Sequence, residues 1–399
     1  MKKVRLGVLG VGNMGTGHID HVLTGKNPEI VLTAVADTDP TRLEWTKKQL
    51  AKRRADFPDL ELPDIALFSS AEEMFASGLI DAVEIAVPHY DHPRYAILAM
   101  KAGIHVMCEK PAGVYTLQVR EMMAEADKHP ELVFGMMFNQ RTNHVYRKMK
   151  EIMDSGELGA IRRTSWIITN WYRPQAYYDS GAWRATWSGE GGGVLLNQCP
   201  HNLDLWQWIC GMPKLVDVKM HFGKWHDIEV EDDVTAYVEY ENGATGTFIT
   251  TTGDAPGTNR FEIVCDGGTL ISDGGSVQLL KLDPPESVFT KENKTPFAAP
   301  HCTRIPLETD GKNEQHVGVM NAFAAAILRG EPLVADGREG VNGLTLSNAM
   351  HLSAWTGKPV ELPFDEVLFR DLLMEHVKHS RRKEGIESVF ASTEGTYNS

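Results

Sequence analysis

The passage that most constrains this chain comes at its start. Residues 4–15 read Val-Arg-Leu-Gly-Val-Leu-Gly-Val-Gly-Asn-Met-Gly. The apolar run Val4–Leu9 predicts a buried strand, and Asn13 onward predicts a helix. Gly10, Gly12 and Gly15 therefore form G-x-G-x-x-G at a strand-to-helix turn. Each glycine has a physical task there. Gly10 permits the tight turn, Gly12 lets backbone approach a pyrophosphate, and Gly15 lets the helix pack close to the strand. The amides opening the helix favour phosphate charge. A second apolar strand, Ile30–Ala36, ends in Asp37. That carboxylate follows the last glycine by about 20 residues, the spacing of a group that hydrogen-bonds an adenosine ribose. The pattern predicts a dinucleotide site; the competing reading is a flavodoxin-like turn that binds nothing.

The first third continues the alternation. Candidate strands are Val4–Leu9, Ile30–Ala36, Ile65–Phe68, Ala82–Val87, His105–Cys108 and Leu132–Met137. Helical stretches fall near Met14–Leu23, Pro40–Lys52, Ala71–Ser77, His92–Ala102 and Leu117–Ala126. The strands are apolar on both faces, which suits a parallel sheet covered by helices on both sides. Right-handed crossovers then wind a doubly wound sheet with its ligand at the carboxyl ends of the strands.

After about residue 140 the character changes. Arg141–Ser155 reads as a helix closed by Gly156, followed by a strand over Ile161–Trp171. Pro200–Ile209 reads as a buried helix. Alternating runs follow at Lys214–Phe222, Val234–Tyr240, Gly246–Thr252, Arg260–Cys265 and Thr269–Ser272, with Asn242-Gly243 as a hairpin signal. Two helices, about Asn313–Leu328 and Arg338–Trp355, close the region. The expected fold is an α/β Rossmann domain, a doubly wound parallel sheet, followed by an α+β domain on an open, mostly antiparallel sheet. The expected division is 1–138 for NAD binding, 139–363 for substrate binding and oligomerisation, and 364–399 as a C-terminal extension. That extension, with its mixed-charge run Lys378–Glu384, reads as a surface helix with a frayed end. An open sheet needs its second face covered, which predicts a homo-oligomer, dimer or tetramer.

Composition narrows the partners. A chain of 399 residues is long for one domain. Its formal net charge of −14 offers no basic field for nucleic acid or an anionic membrane. The five cysteines are odd in number and make no C-x-x-C pair, which predicts thiols in a reducing, cytoplasmic setting. The N-terminus runs straight into the first strand and no apolar stretch reaches about 18 residues, so neither a signal peptide nor a membrane span is expected.

Two further segments end candidate strands where a doubly wound sheet puts its ligand. One is Ala86-Val-Pro-His-Tyr-Asp-His92, with Pro88 and His89; the other is Cys108-Glu-Lys-Pro111. A surface salt bridge is the competing reading of Glu109 and Lys110. A third segment carries Gly191-Gly-Gly193, Asn197 and His201. Pro200 suits a first helical turn and not an interior, so Asn197 belongs on the loop entering that helix. Asp204, one turn past His201, is a candidate to orient its ring. An aromatic loop holds Trp171, Tyr172, Arg173, Tyr177, Tyr178, Trp183, Arg184 and Trp187. Flat faces beside hydrogen-bonding groups suit polyhydroxylated rings; an aromatic core under a loop is the alternative. The pairs His89/His92 and His221/His226 lack further ligands at recognisable spacing, and no metal is predicted.

In order and spacing, G-x-G-x-x-G, V-P-H-x-x-H, E-K-P and G-G-G-x-x-x-N-x-x-x-H resemble the family of glucose–fructose oxidoreductase, inositol dehydrogenase and MocA, over about residues 3 to 360. The resemblance implies NAD as cofactor, contacted by Gly10, Gly12, Asn13, Met14, Gly15, Asp37, Pro88, His89, Glu109 and Lys110. A carboxylate at Asp37 repels a 2′-phosphate, which favours NAD over NADP. The resemblance implies that Lys110 reaches the substrate hydroxyl and that His201 accepts its proton. It implies a carbohydrate or polyol substrate contacted by Tyr172, Arg173, Tyr178, Trp183, Asn197 and His201. Many members carry aspartate where this chain has Asn197, and an amide cannot accept a proton. The expected catalytic set is Lys110, His201 and Asn197, and the expected reaction is oxidation of a secondary hydroxyl of a sugar, glycoside or inositol, with C3 of a glucoside as one candidate. The alternatives are an NAD-retaining glycoside hydrolase working by transient oxidation and elimination, and a non-catalytic NAD-binding sensor.

Overall fold

A computed structural model describes residues 2–56 and 64–381. Among the described residues these form two compact units, the first drawn from the chain up to Thr142 and Glu314–Leu344, the second from Asn143–Asn313 and 345–381.

The first unit holds strands β1 (Val4–Leu9), β2 (Ile30–Ala36), β3 (Ala66–Phe68), β4 (Ala82–Ile85), β5 (His105–Cys108) and β6 (Phe134–Met136). They pair in parallel in the order β3-β2-β1-β4-β5-β6. All four residues of β4 are buried, as a central strand covered on both faces requires. The crossover helices are α1 (Asn13–Leu23), α2 (Pro40–Asp56), α3 (Ala71–Ala76), α4 (His92–Lys101) and α5 (Thr116–Ala126). The strand order reverses direction between β1 and β4, and such a switch point opens a crevice at the strands' carboxyl ends. The doubly wound expectation stands.

The second unit opens with α6 (His144–Ser155), whose first turn is capped by Asn143 accepting from the Val145 amide (2.9 Å). Its sheet comprises β7 (Ile161–Ile168), β8 (Leu215–Phe222), β9 (Glu231–Glu239), β10 (Thr245–Thr251), β11 (Asn259–Cys265), β12 (Gly268–Asp273), β13 (Ser276–Asp283), β14 (His301–Pro306) and β15 (Val360–Glu361). The order is β14-β13-β12-β11-β7-β10-β9-β8-β15, and only β7 with β10 is parallel. The hairpin at Asn242-Gly243 forms as expected, with Gly243 at φ +83°. Between the strands lie α7 (Gln175–Tyr178), α8 (Pro200–Cys210) and α9 (Glu286–Glu292). Trp206 of α8 stacks on Phe248 of the sheet at 5.3 Å, and Trp166 stacks on Phe261 at 4.3 Å. These aromatic faces bury the inner side of the sheet.

Three features differ from the sequence reading. Helix α10 (Gln315–Arg329), expected to close the second unit, packs in the first. Its Val319, Met320, Phe323 and Ala324 join the core of Val4, Leu6 and Ile19. Helical periodicity predicts an apolar face but does not say which sheet receives it. Strands β13 to β15 extend the sheet past the alternating runs; β14 is exposed along almost its whole length and carries no apolar alternation to detect. The remaining helices are α11 (Gly340–Thr356) and α12 (Glu366–Lys378). Helix α12 belongs to the expected surface extension, yet Phe369 and Leu373 are buried and the His376 ring lies 5.0 Å from Trp187. The rest of that extension, 382–399, lies outside the described residues.

Candidate active site

The glycine turn has the geometry its residues predict. Gly10 sits at φ +93°, and a side chain there would meet the Ala86 carbonyl oxygen at 2.5 Å. At Gly15 an added Cβ would lie 1.9 Å from the Gly10 carbonyl oxygen, so α1 can approach β1 only with glycine there. Nothing lies within 4 Å of a Cβ built on Gly12. Gly12 is the N-cap of α1, no side chain caps the helix, and its first turn holds no acid. An uncapped, acid-free N-terminus beside open backbone fits a pyrophosphate. At the end of β2, Asp37 accepts from the amides of Val11 (2.7 Å) and Asp39 (2.8 Å). It braces the glycine turn, and each oxygen keeps a second lone pair for a ribose hydroxyl.

The ends of β4 and β5 are tied by His92. Its Nε2 lies 2.7 Å from the Val87 carbonyl oxygen and its Nδ1 2.7 Å from that of Pro111. His89 is buried beside it, with ring centroids 6.0 Å apart. The Lys110–Pro111 peptide is cis.

Lys110 is half-buried and follows an ion-pair centre that the sequence does not reveal. Glu109 is buried and bonds His18 Nε2 of α1 at 2.8 Å. Burial pushes the Glu109 carboxyl up, but the His18 hydrogen bond and the charges of His18, His316 and Lys110 outweigh it and leave it at about 2. Glu84, fully buried in β4, lies 3.6 Å from the same His18 nitrogen, and neither of its oxygens has a hydrogen-bond partner among the described residues. Burial, then the Glu109 charge, push its carboxyl well above the usual range. His316 of α10 sets its ring 5.6 Å from His18, and burial depresses it to about 3. The Glu109 carboxylate fixed behind Lys110 holds negative charge beside the ammonium, and the same charge favours the protonated form of Glu84.

In the second unit the glycine triplet is held by Glu231 at the head of β9. Its carboxylate accepts from the amides of Gly193 (2.8 Å) and Leu195 (2.9 Å), and its backbone oxygen accepts from Val194 (3.0 Å). A Cβ on Gly193 would meet that backbone oxygen at 2.0 Å, so the contact demands glycine. His351 lies 3.0 Å from the same carboxylate. Burial opposes its charge, but Glu231 and the Ser347 carbonyl prevail and raise its pKa. This clamp fixes the segment that carries Asn197 and His201. Asn197 lies on the turn before α8, as Pro200 predicts, and His201 is buried in the first helical turn. Asp204 accepts from Gln207 at 3.1 Å.

The Asn197 amide joins a second network. Its Oδ1 accepts from the Tyr177 hydroxyl (3.2 Å) and from Gln198 (3.3 Å), and its Nδ2 donates to Glu190. Arg184 donates to the Tyr177 hydroxyl (2.9 Å), with its guanidinium 4.5 Å from that ring and 4.7 Å from Trp183. Of the expected substrate contacts, Tyr172 is exposed, Arg173 lies between Trp171 and Tyr177, and Trp183 is half-buried. Tyr178 is buried, and its hydroxyl donates to Thr252 at 2.7 Å, so it backs the loop from within the core. His226, in the loop before β9, and His221 of β8 face Asp232 (3.0 Å) and Asp233 (3.5 Å) of β9.

Sequence reasoning passes over Glu84, His18, His316, Glu190, Glu231 and His351. Three had a signal: Glu84 is the acid inside an otherwise apolar strand, Glu190 directly precedes the glycine triplet, and Glu231 opens an acidic trio at a strand head. Lone histidines in helices carry none.

A crevice at a doubly wound switch point, a glycine turn braced by an acid at the end of β2 and a lysine at the end of β5 define an NAD-binding oxidoreductase fold. The oxidoreductase family model with an NAD-binding Rossmann fold matches residues 4–136, and the GFO/IDH/MocA C-terminal domain model matches residues 146–271. The chain belongs to the Gfo/Idh/MocA oxidoreductase family. It is 29% identical over 244 residues to a 1-carboxy-3-chloro-3,4-dihydroxycyclohexa-1,5-diene dehydrogenase of Comamonas testosteroni, a match covering 60% of this chain and 56% of that enzyme, less than two thirds of its length. It is 25% identical over 377 residues to the D-glucoside 3-dehydrogenase of Escherichia coli, covering 90% of this chain and 97% of the relative. Among solved structures, the WlbA dehydrogenase of Bordetella pertussis in complex with NADH and UDP-GlcNAcA superposes with a TM-score of 0.73 at 26% identity, covering 91% of this chain and all of that one.

Proposed function

We propose that the protein is an NAD-dependent dehydrogenase that oxidises a secondary hydroxyl of a sugar, glycoside or inositol to a ketone. One observation carries the reading: Lys110 stands at the end of β5, beside a buried ion pair, in the sheet whose β1 bears the glycine turn. The nicotinamide, when bound, accepts the hydride. The Lys110 ammonium holds the alcohol oxygen and stabilises the charge that develops on it. An imidazole nitrogen of His201 takes the hydroxyl proton. Asn197, fixed on both sides of its amide, orients the substrate. Tyr172, Arg173 and Trp183 offer ring faces and hydrogen bonds to a polyhydroxylated ring. The full-length match to a glucoside 3-dehydrogenase supports C3 of a glucoside as the oxidised carbon.

The nine-stranded sheet, whose Tyr237 is 39% exposed, supports reading the protein as a homo-oligomer, dimer or tetramer. A cytoplasmic setting fits five cysteines that form no disulfide. Among the described residues no helix is long and apolar enough to cross a membrane.

The test is NADH absorbance at 340 nm over a panel of sugars, glycosides and inositols, with aglycone release followed in parallel. NADH growth that is lost in Lys110→Ala and in His201→Ala supports the dehydrogenase. Aglycone release without NADH assigns an NAD-retaining glycosidase instead, and silence of both with NAD bound narrows the choice to a tightly held, internally recycled cofactor or a non-catalytic sensor.

A further inference from the structure

Position 197 raises a question of charge. An aspartate there would bring a carboxylate to the centre, and this chain has an amide. The second unit nevertheless buries a carboxylate against that amide. Glu190 is 2% exposed and receives the Asn197 Nδ2 hydrogen on Oε1. Its Oε2 receives the Ala185 amide hydrogen at 2.6 Å. Resting on the site proposed above, we infer that Glu190 is a positioning residue that acts through Asn197. The carboxylate of this centre sits one hydrogen bond behind position 197.

The hydrogen bonds dictate the chemical form. Asn197 Oδ1 already accepts from Tyr177 and Gln198, so its Nδ2 must donate. The Asn197 amide and the Ala185 N–H therefore both approach Glu190 as donors. An ionised carboxylate is acceptor-only and satisfies both; an amide or a protonated acid would turn a hydrogen toward one of them. Ala185 adds weight to the second contact. It holds φ +54°, a left-handed conformation that non-glycine residues rarely adopt, and the Glu190 oxygen grips its amide. Ala185 lies between Trp183 and Trp187, so one carboxylate fixes both the Asn197 amide and the aromatic loop.

The charge is held at a cost. Burial pushes the Glu190 carboxyl up, opposed by Arg184 and by its hydrogen bonds, with Glu231 adding repulsion. The titratable groups facing it are Arg184, Tyr177, Tyr178 and Glu231. Glu231 is itself paired with His351. A carboxylate so placed couples the orientation of Asn197 to pH.

The geometry specifies a swap. In Asn197→Asp two carboxylates meet, and in Glu190→Gln the new NH2 group faces one of the two donors, the Asn197 amide or the Ala185 N–H. The double variant, N197D with E190Q, exchanges the two functional groups. The carboxylate at position 197 then accepts from the amide nitrogen at position 190. The amide oxygen at position 190 accepts from the Ala185 N–H, and both hydrogen bonds are restored. The experiment measures kcat and KM against pH for wild type, both single variants and the double variant, using the substrate found in the panel. NAD affinity, measured by fluorescence titration, serves as the control for the first unit. Each single variant is expected to lose about 10²-fold in kcat with NAD affinity unchanged, the scale of a misplaced active-site group. The double variant is expected to recover at least about tenfold in kcat over either single variant, a strong non-additivity, with the pH limb of kcat displaced. Because the double variant keeps the hydrogen bonds, it tests the inference even where a single variant does not fold. Wild-type rates in both single variants, or a double variant that falls by the product of the two, would overturn it. Lys110→Ala and His201→Ala run beside them: if these keep full activity, the site assignment itself has failed rather than the role of Glu190.

Discussion

Glu84 is the strongest lever on stability that the fold offers. It occupies the central strand β4, fully buried, opposite Val8 of β1 and Met107 of β5. Burial and then Glu109 raise its carboxyl pKa above the ordinary value near 4.5. The folded protein therefore keeps a proton that the unfolded chain releases once pH passes that ordinary value. With more protons bound in the folded state, the contribution of Glu84 falls by about 1.36 kcal/mol per pH unit until pH reaches the folded pKa. The nearby groups also titrate. Glu109, held at about 2, contributes stability that is lost only as pH falls from near 4.5 toward 2. His316, held at about 3, costs stability only below its ordinary value near 6.5. Both are present in wild type and in Glu84→Gln, so their effects cancel in the difference. Above pH 5.5 the wild type should lose stability relative to Glu84→Gln, which has nothing to titrate there, at about 1.36 kcal/mol per pH unit for as long as pH stays below the folded pKa. A bend in the difference marks the folded pKa. Glu84→Leu should exceed wild type at pH 7.5 by about 1–3 kcal/mol, since it removes a buried polar group with no hydrogen-bond partner among the described residues. The assay is urea unfolding of the NAD-free protein at three pH values, read through amide protection in β4, because eight of the nine tryptophans lie in the second unit. Parallel curves for wild type and Glu84→Gln would refute the reasoning.

The glycine turn separates folding from binding. Gly12→Ala should fold as wild type, since nothing lies within 4 Å of its Cβ, while NAD affinity falls at least about tenfold as the methyl meets the pyrophosphate. Gly15→Ala places its Cβ 1.9 Å from the Gly10 oxygen and should cost about 3 kcal/mol or more. Thermal unfolding and NAD titration of the two proteins check both outcomes. Asp37→Ala removes the acceptor of the Val11 amide and of the ribose; NAD affinity should fall about 10–100-fold, a charge-assisted hydrogen bond's worth. Asp37→Ser should raise the ratio of NADP to NAD affinity, and competitive titration of the two cofactors reads it.

The first unit was legible because its physics is local. A strand, three glycines and an acid at fixed spacing constrain one another within forty residues, and the structure has Gly10 in the tight turn, Gly15 against the Gly10 carbonyl and Asp37 bracing the Val11 amide. Pro200 likewise sufficed to place Asn197 on a turn, since proline forbids a helix interior. What stayed hidden depends on partners far along the chain. His18 and Glu109 are separated by 91 positions. Glu231 reaches Gly193 from 38 positions away. Helix α10 showed its apolar face but not its destination, and β14 had no alternation to show. An aromatic beside a polar group looks alike in a core and in a cleft, so the sequence did not show that Tyr178 is buried with its hydroxyl on Thr252.

Both units fix their expected reactive residues in the same way, from behind. Lys110 follows Glu109, whose carboxylate is pinned by His18; Asn197 and His201 follow a glycine triplet pinned by Glu231, which is paired with His351. In each case a buried carboxylate and a buried histidine stand one step away from the group proposed to meet substrate. A buried ion pair is poor value as stability alone, because desolvation offsets most of the attraction. It is effective at holding a backbone segment in one place, since breaking either partner leaves a buried charge alone. With the backbone held this way, the reacting ammonium and imidazole need not themselves serve as the anchors of their segments. On this argument, substitutions at His18 or His351 should lower kcat with little change in which sugar is preferred, whereas substitutions at Tyr172 or Arg173 should change the preference and leave the pH dependence of kcat in place.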